Sequence, residues 1–282
     1  MSQVDYLKTI IYQLIGENPF LLETIDGVKE KSNWSCLEIC IIHNRDCAGS
    51  SQYGTVYIGI PDIVDSYELS LKYRDVLINY DEFSLETKYS DFRSNDCVRN
   101  KVNVIIHSAV QALVSGELEK IDFLKKGRHS AFNSYAIYSL AYSIYHEIGH
   151  IIHDKFIECQ NTREKAADYY AFEAIKYICK NNNDETNRLG GTIIGIFQML
   201  FNRTPQEERD DKDHPHSIER LFLLLDFWNI PDDSSYWEFA YRFICIWFEK
   251  NILPITWERE TSKSYKDKFI DAYIHFRKSG QS

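Results

Sequence analysis

No stretch of this 282-residue chain reads as a membrane span. The longest apolar run, Leu189 to Phe201, contains Gly190, Gly191 and Gln198. It falls short of the roughly 18–20 residues that a crossing helix needs. Met1–Tyr6 shows no basic region followed by an apolar one, so no secretory leader is expected. Basic charge is in deficit: 32 Lys and Arg stand against 42 Asp and Glu, a net charge of -10. That balance argues against nonspecific nucleic-acid binding and predicts no nucleic-acid partner. There is no Gly-rich phosphate loop, no Ser-centred nucleophile elbow, no internal repeat and no low-complexity linker. Seven cysteines, an odd number without a leader, fit free thiols in a reducing compartment, so the expected location is cytoplasmic.

What is present is ordinary globular material. Hydrophobic residues make up 44% of the chain and charged residues 26%. That is enough for one large core or two modest ones. Aromatics reach 14%, with 19 Tyr, and core packing accounts for most of them.

The hydrophobic pattern predicts an α+β fold. A helical period runs through residues 1–25. Cys36–Ile42 and Thr55–Ile60 read as strands, separated by the polar loop Asn44–Gly54, and Asp75–Ile78 is a third candidate. The helical period returns over 102–126 and dominates from there. Asn133 or Ser134 caps a helix reaching about Lys155, and further helices are expected at 163–180, 189–202, 216–228, 235–250 and 258–277. Arg203–Asp213 reads as a charged loop. The expectation is a small N-terminal β-sheet in an α/β region over residues 1–100, with substrate-side strands. A mainly helical, zincin-like catalytic region follows over 101–282, as one continuous unit.

Within that helical region lies Tyr145-His146-Glu147-Ile148-Gly149-His150, an H-E-x-x-H motif. On a helix, His146 and His150 leave the same face and can grip one zinc ion, while Glu147 can take a proton from water on the metal. A catalytic zinc needs a third protein ligand and an open position. The next helix supplies Glu164-Lys165-Ala166-Ala167-Asp168, with Glu164 in its first turn. Glu164 is the favoured third ligand, and Asp168, one turn on, can orient a ligand histidine through its other ring nitrogen. Asn161-Thr162-Arg163-Glu164 also reads as a capping box, and His153 and Cys159 are competing donors. The ten-residue metzincin pattern fails, because His153 stands where it needs Gly and Phe156 where it needs His.

The third element is Asp213-His214-Pro215-His216-Ser217-Ile218-Glu219-Arg220. Pro215 suits the first turn of a helix. His214 can donate to the oxyanion of a tetrahedral intermediate, and Arg220 can pair with Asp168 or hold substrate. Cys36, Cys40, His43 and Cys47 do not make a second zinc site on a strand, because His43 points away from Cys36 and Cys40. Thr55–Ile60 is the strand expected to pair with an extended substrate.

These three elements, in this order over roughly residues 134–225, resemble the gluzincin metallopeptidases. The pattern is similar to the soluble core of the HtpX and CAAX-prenyl endopeptidase group, without its membrane helices. A closer likeness, through Tyr145–His150, Lys165–Ala171 and Asp213-His214-Pro215, is to the Lit-type phage-exclusion peptidases. That resemblance implies an antiviral protease with one Zn2+ per chain, set off by an activating peptide or protein, that cleaves elongation factor Tu. The ImmA/IrrE-like peptidases, which cleave repressors, are a related alternative; their second acid is replaced here by Ala166. A non-catalytic, zinc-containing binding protein is the reading from another class, and an intact Glu147 argues against it.

Overall fold

The computed structural model describes residues 38–42, 49–50, 55–59, 130–177, 185–201, 203–251, 253 and 263–278. The helices expected at 1–25 and 102–126, the strand at 75–78, and Cys36, His43 and Cys47 lie outside these residues. Seven helices dominate what is described: α1 (Ser130–His153), α2 (Gln160–Tyr177), α3 (Glu185–Phe201), α4 (Pro205–Asp210), α5 (Ser217–Phe227), α6 (Ser235–Lys250) and α7 (Tyr265–Lys278). Among the described residues, no helix is long and apolar enough to cross a membrane.

Three strands precede them: β1 (Glu38–Ile42), β2 (Gly49–Ser50) and β3 (Thr55–Gly59). They pair in the order β1-β3-β2, with β1 parallel and β2 antiparallel to β3. With only two residues in β2, they do not make the independent sheet layer of an α+β fold, and the described architecture is mainly helical. β3 pairs with β1 over all five of its residues and with β2 at Val56 and Tyr57. Its Val56 and Ile58 are buried in the core, while Tyr57 faces outwards.

α1 is the hub, packed against α2, α3 and the strands. Ala136, Ala141, Tyr142, Ile144, Tyr145 and Ile148 are all fully buried. They lie all round the cylinder rather than along one stripe, which is the mark of a central helix. Each large apolar side chain so buried stabilises the fold by about 1.5–3 kcal/mol.

Glycine sets how closely the neighbours approach. A Cβ on Gly191 would stand 2.7 Å from the Tyr135 carbonyl oxygen and 2.5 Å from the Tyr138 Cβ. The glycines that break up the apolar run of α3 are thus its contact face against α1. On the other side of α1, a Cβ on Gly149 would lie 2.7 Å from the Ala167 Cα of α2. Gly149→Ala is expected to cost about 1–3 kcal/mol by overpacking, seen as a Tm lower by roughly 2–10 °C. An unchanged Tm would show that α1 and α2 can part without penalty.

Several boundaries differ from the sequence reading: α1 begins at Ser130, so Asn133 and Ser134 lie inside it rather than at its cap. Arg203–Asp213 is not a plain loop, because it contains α4. Thr204 Oγ1 accepts from the Glu207 amide, the Glu207 carboxylate accepts from the Thr204 amide, and Pro205 opens the first turn. Pro215 lies just ahead of α5 rather than in its first turn, since His216 is the N-cap. The buried Glu208 of α4 accepts hydrogen bonds from the Ser217 amide and hydroxyl, satisfying the start of α5. α5 ends at Phe227, and Asn229 beyond it, with a φ of 53°, closes a Schellman turn through Ile230 N to Leu225 O, 3.1 Å.

Candidate metal centre

α1 carries His146 and His150 one turn apart, and their Nε2 atoms stand 3.1 Å from each other. The chain then turns through a short 3-10 segment, Asp154–Phe156, and returns as α2. Close contact at Gly149 and Ala167 lays α2 against α1, which brings Glu164 to both imidazoles. Glu164 Oε2 is 3.3 Å from His146 Nε2, and Oε1 is 3.3 Å from His150 Nε2. These three residues form the one cluster among the described residues whose donor atoms could hold a metal ion. His153 is not in it; its ring meets Tyr170 edge-on instead. Cys159 is exposed and also outside it. Asn161 lies inside α2, so it does not cap the helix.

The donor set fits a divalent cation. Three ligands held about 2.0–2.1 Å from a tetrahedral ion would be roughly 3.3–3.5 Å apart, close to the separations seen here. The ring orientations agree. His150 Nδ1 meets Asp154 Oδ1 at 3.0 Å, and His146 Nδ1 lies 2.9 Å from Asp168 Oδ1, a short contact without ideal alignment. A proton on each Nδ1 leaves the two Nε2 lone pairs facing each other beside a carboxylate, which a cation relieves.

A buried network stands behind the donors. Arg220, only 3% exposed, reaches across from α5. Its Nη2 donates to Glu164 Oε2 at 2.9 Å and its Nη1 to Asp168 Oδ1 at 2.7 Å. Arg220 thus pairs with two buried carboxylates. Tyr142 adds a hydrogen bond to Asp168 Oδ1 at 2.8 Å, and Gln160 adds one to Glu164 Oε1 at 3.0 Å. Burial opposes charge on Asp168, but the Arg220 cation and the His146 contact outweigh it and hold the carboxyl below its usual range. Glu164 is likewise depressed: the contacts with His146 and His150 override its desolvation. Burial works against a charged His146 as well, yet its contacts with Asp168 and Glu164 lift it to about 9.

Glu147 is buried beside the ligands at 7% exposure but is not one of the converging donors. His214 also reaches the cluster, its Nε2 3.5 Å from Glu164 Oε1. Its position is set by Asp211. That carboxylate meets His214 Nδ1 at 3.0 Å and accepts from the amides of Asp213 and His214 at 3.1 and 2.9 Å. Arg203 holds Asp211 in turn at 2.8 Å. Asp154, Tyr142, Gln160 and Asp211 were not singled out from the sequence. For Asp154 the signal was there: a carboxylate four residues after a ligand histidine shares its helix face.

Stripping the metal has a pH-dependent consequence. In chelator-treated protein, the lifted His146 contributes stability that is complete below its ordinary 6.5 and lost as pH rises through about 9. The depressed Asp168 and Glu164 contribute stability that is complete above the normal carboxylate range and lost as pH falls through it. The Tm of the stripped protein should therefore peak between about pH 5 and 6.5 and fall on the order of 5 °C by pH 9. A flat profile between pH 6.5 and 9 would mean that His146 lacks these partners.

Two helix-borne histidines, a neighbouring glutamate and a second carboxylate from the returning helix make a site compatible with a metal. The sequence model of the family Peptidase U49 matches residues 106–240. That span holds every residue of the site, and its similarity to a peptidase family supports a protease activity. No curated protein and no solved structure matches the chain.

Proposed function

We propose that this chain is a zinc-dependent endopeptidase of the gluzincin type. The observation that carries the reading is the meeting of His146, His150 and Glu164, with Glu147 next to the first of them. His146, His150 and Glu164 would hold the ion. Bound there, zinc supplies Lewis acidity to a peptide carbonyl and acidifies a water molecule. Glu147 takes the proton of the attacking water and returns it to the leaving amine. His214, steadied by Asp211, donates from Nε2 to the developing oxyanion. Asp154 and Asp168 keep the two imidazoles turned with Nε2 towards the centre. Arg220 balances the charge of Glu164 and Asp168 below them.

The region over 1–100 would present the substrate and 101–282 would act as one catalytic unit. An extended peptide would add to β1 or β2, the outer strands among the described residues. The resemblance to the Lit-type peptidases supports a phage-exclusion role in the cytoplasm, with elongation factor Tu as the substrate and an activating peptide or protein as the trigger.

The test is a mass-spectrometric census of new protein N-termini in cells expressing the chain, together with the zinc content of the purified protein. One zinc per chain and new termini are expected, with elongation factor Tu among the cleaved proteins. Purified protein that takes up no divalent ion would overturn the reading.

A further inference from the structure

The hydroxyl of Tyr142 is a buried titratable group near the centre that the proposed chemistry leaves unused. It lies on α1, one turn before His146. Its ring is fully buried and stacks on Phe172 at 6.1 Å, so the hydroxyl cannot wander. That hydroxyl donates to Asp168 Oδ1 at 2.8 Å, the same oxygen that stands 2.9 Å from His146 Nδ1. Arg220 Nη1 meets this oxygen too, at 2.7 Å, from α5. Oδ2 of the same carboxylate is buried with no hydrogen-bond partner.

We propose that Tyr142 is a positioning residue for the metal ligand His146 and acts through Asp168. The inference rests on the metal-centre reading above. Asp168 stands between two pulls. Arg220 draws its carboxylate towards α5, whereas Tyr142 ties it back to the helix that carries His146. The tie comes from the same rigid segment as the ligand. It therefore fixes Asp168 relative to His146 itself, not merely relative to the rest of the core. Burial and the neighbouring Asp168 charge raise the phenol well above its ordinary value, so Tyr142 stays a neutral donor at all working pH. Without the hydroxyl, the carboxylate is free to swing towards Arg220, and His146 loses the acceptor that fixes its ring and tautomer.

A tyrosine whose hydroxyl only satisfies a buried charge would matter for folding and not for the metal. Tyr142→Phe separates the two cases, because it keeps the ring packing on Phe172 and Gly195 and removes one oxygen. Zinc affinity would be measured by chelator competition on the full chain, alongside the Tm of stripped protein. Loss of one of these supporting partners typically weakens metal binding by roughly 10–100-fold, and about 10-fold is expected for Tyr142→Phe. In an Asp168→Asn background the same change should have no further effect, because its route to the metal is already cut. Wild-type zinc affinity in Tyr142→Phe would overturn the inference, and so would an undiminished 10-fold loss on top of Asp168→Asn. Wild-type protein that binds no zinc would overturn the centre itself, which is a distinguishable result.

Discussion

Glu147→Gln should leave zinc bound at one per chain and lower turnover by about 10²–10⁴-fold, the range of a lost general base. The change is nearly isosteric, and Glu147 is not among the converging donors, so the ligand set stays intact. Glutamine can still hydrogen-bond a water molecule but cannot accept its proton at neutral pH. The measurement pairs metal content with the census of new N-termini: full zinc and no new termini are expected. Undiminished cleavage would remove Glu147 from the mechanism. Loss of zinc would instead make it part of the metal's own support.

Arg220→Ala should be more damaging to the protein than to the chemistry alone. The guanidinium is the nearest cation to two buried carboxylates, at 2.9 Å from Glu164 and 2.7 Å from Asp168. Removing one partner of such a buried pair leaves uncompensated charge and costs about 3–5 kcal/mol. For a chain of this size that corresponds to a Tm lower by roughly 6–20 °C. Metal should partly restore the variant, because a bound cation takes over some of the charge balance on Glu164. The check is a pair of melting curves with and without zinc. A variant as stable as the wild type would mean that water, and not Arg220, satisfies the two carboxylates.

The pieces legible in the sequence were those governed by spacing within one helix. His146 and His150 four apart, and Glu164 four before Asp168, follow from the helical period and need no knowledge of tertiary structure. The same arithmetic applied to Asp154, but a carboxylate near a helix end has many ordinary explanations. Thr204-Pro205-Gln206-Glu207 carried a readable helix start, which the surrounding density of charge concealed. Tyr142 was hidden among Tyr135, Tyr138 and Tyr145, because burial alone does not distinguish a ring that packs from a hydroxyl that points. The pairing of Arg220 with Glu164, 56 positions away, depends on how α5 docks against α2, and spacing within a helix cannot report that. The breaks at Gly190 and Gly191 looked like faults in an apolar run. Their meaning depends on the backbone of another helix.

All three candidate metal donors come from a single α1–turn–α2 hairpin, close together along the chain, whereas the cation that balances them arrives from α5. Assembly thus has a natural order. The contacts between α1 and α2 are close in sequence and so carry a low loop-closure cost. Until α5 docks, the hairpin's buried carboxylates lack Arg220. A nascent or clipped chain that ends before α5 would hold a grip for the metal but no finished machine. That order leaves the candidate site without its balancing cation until α5 has docked.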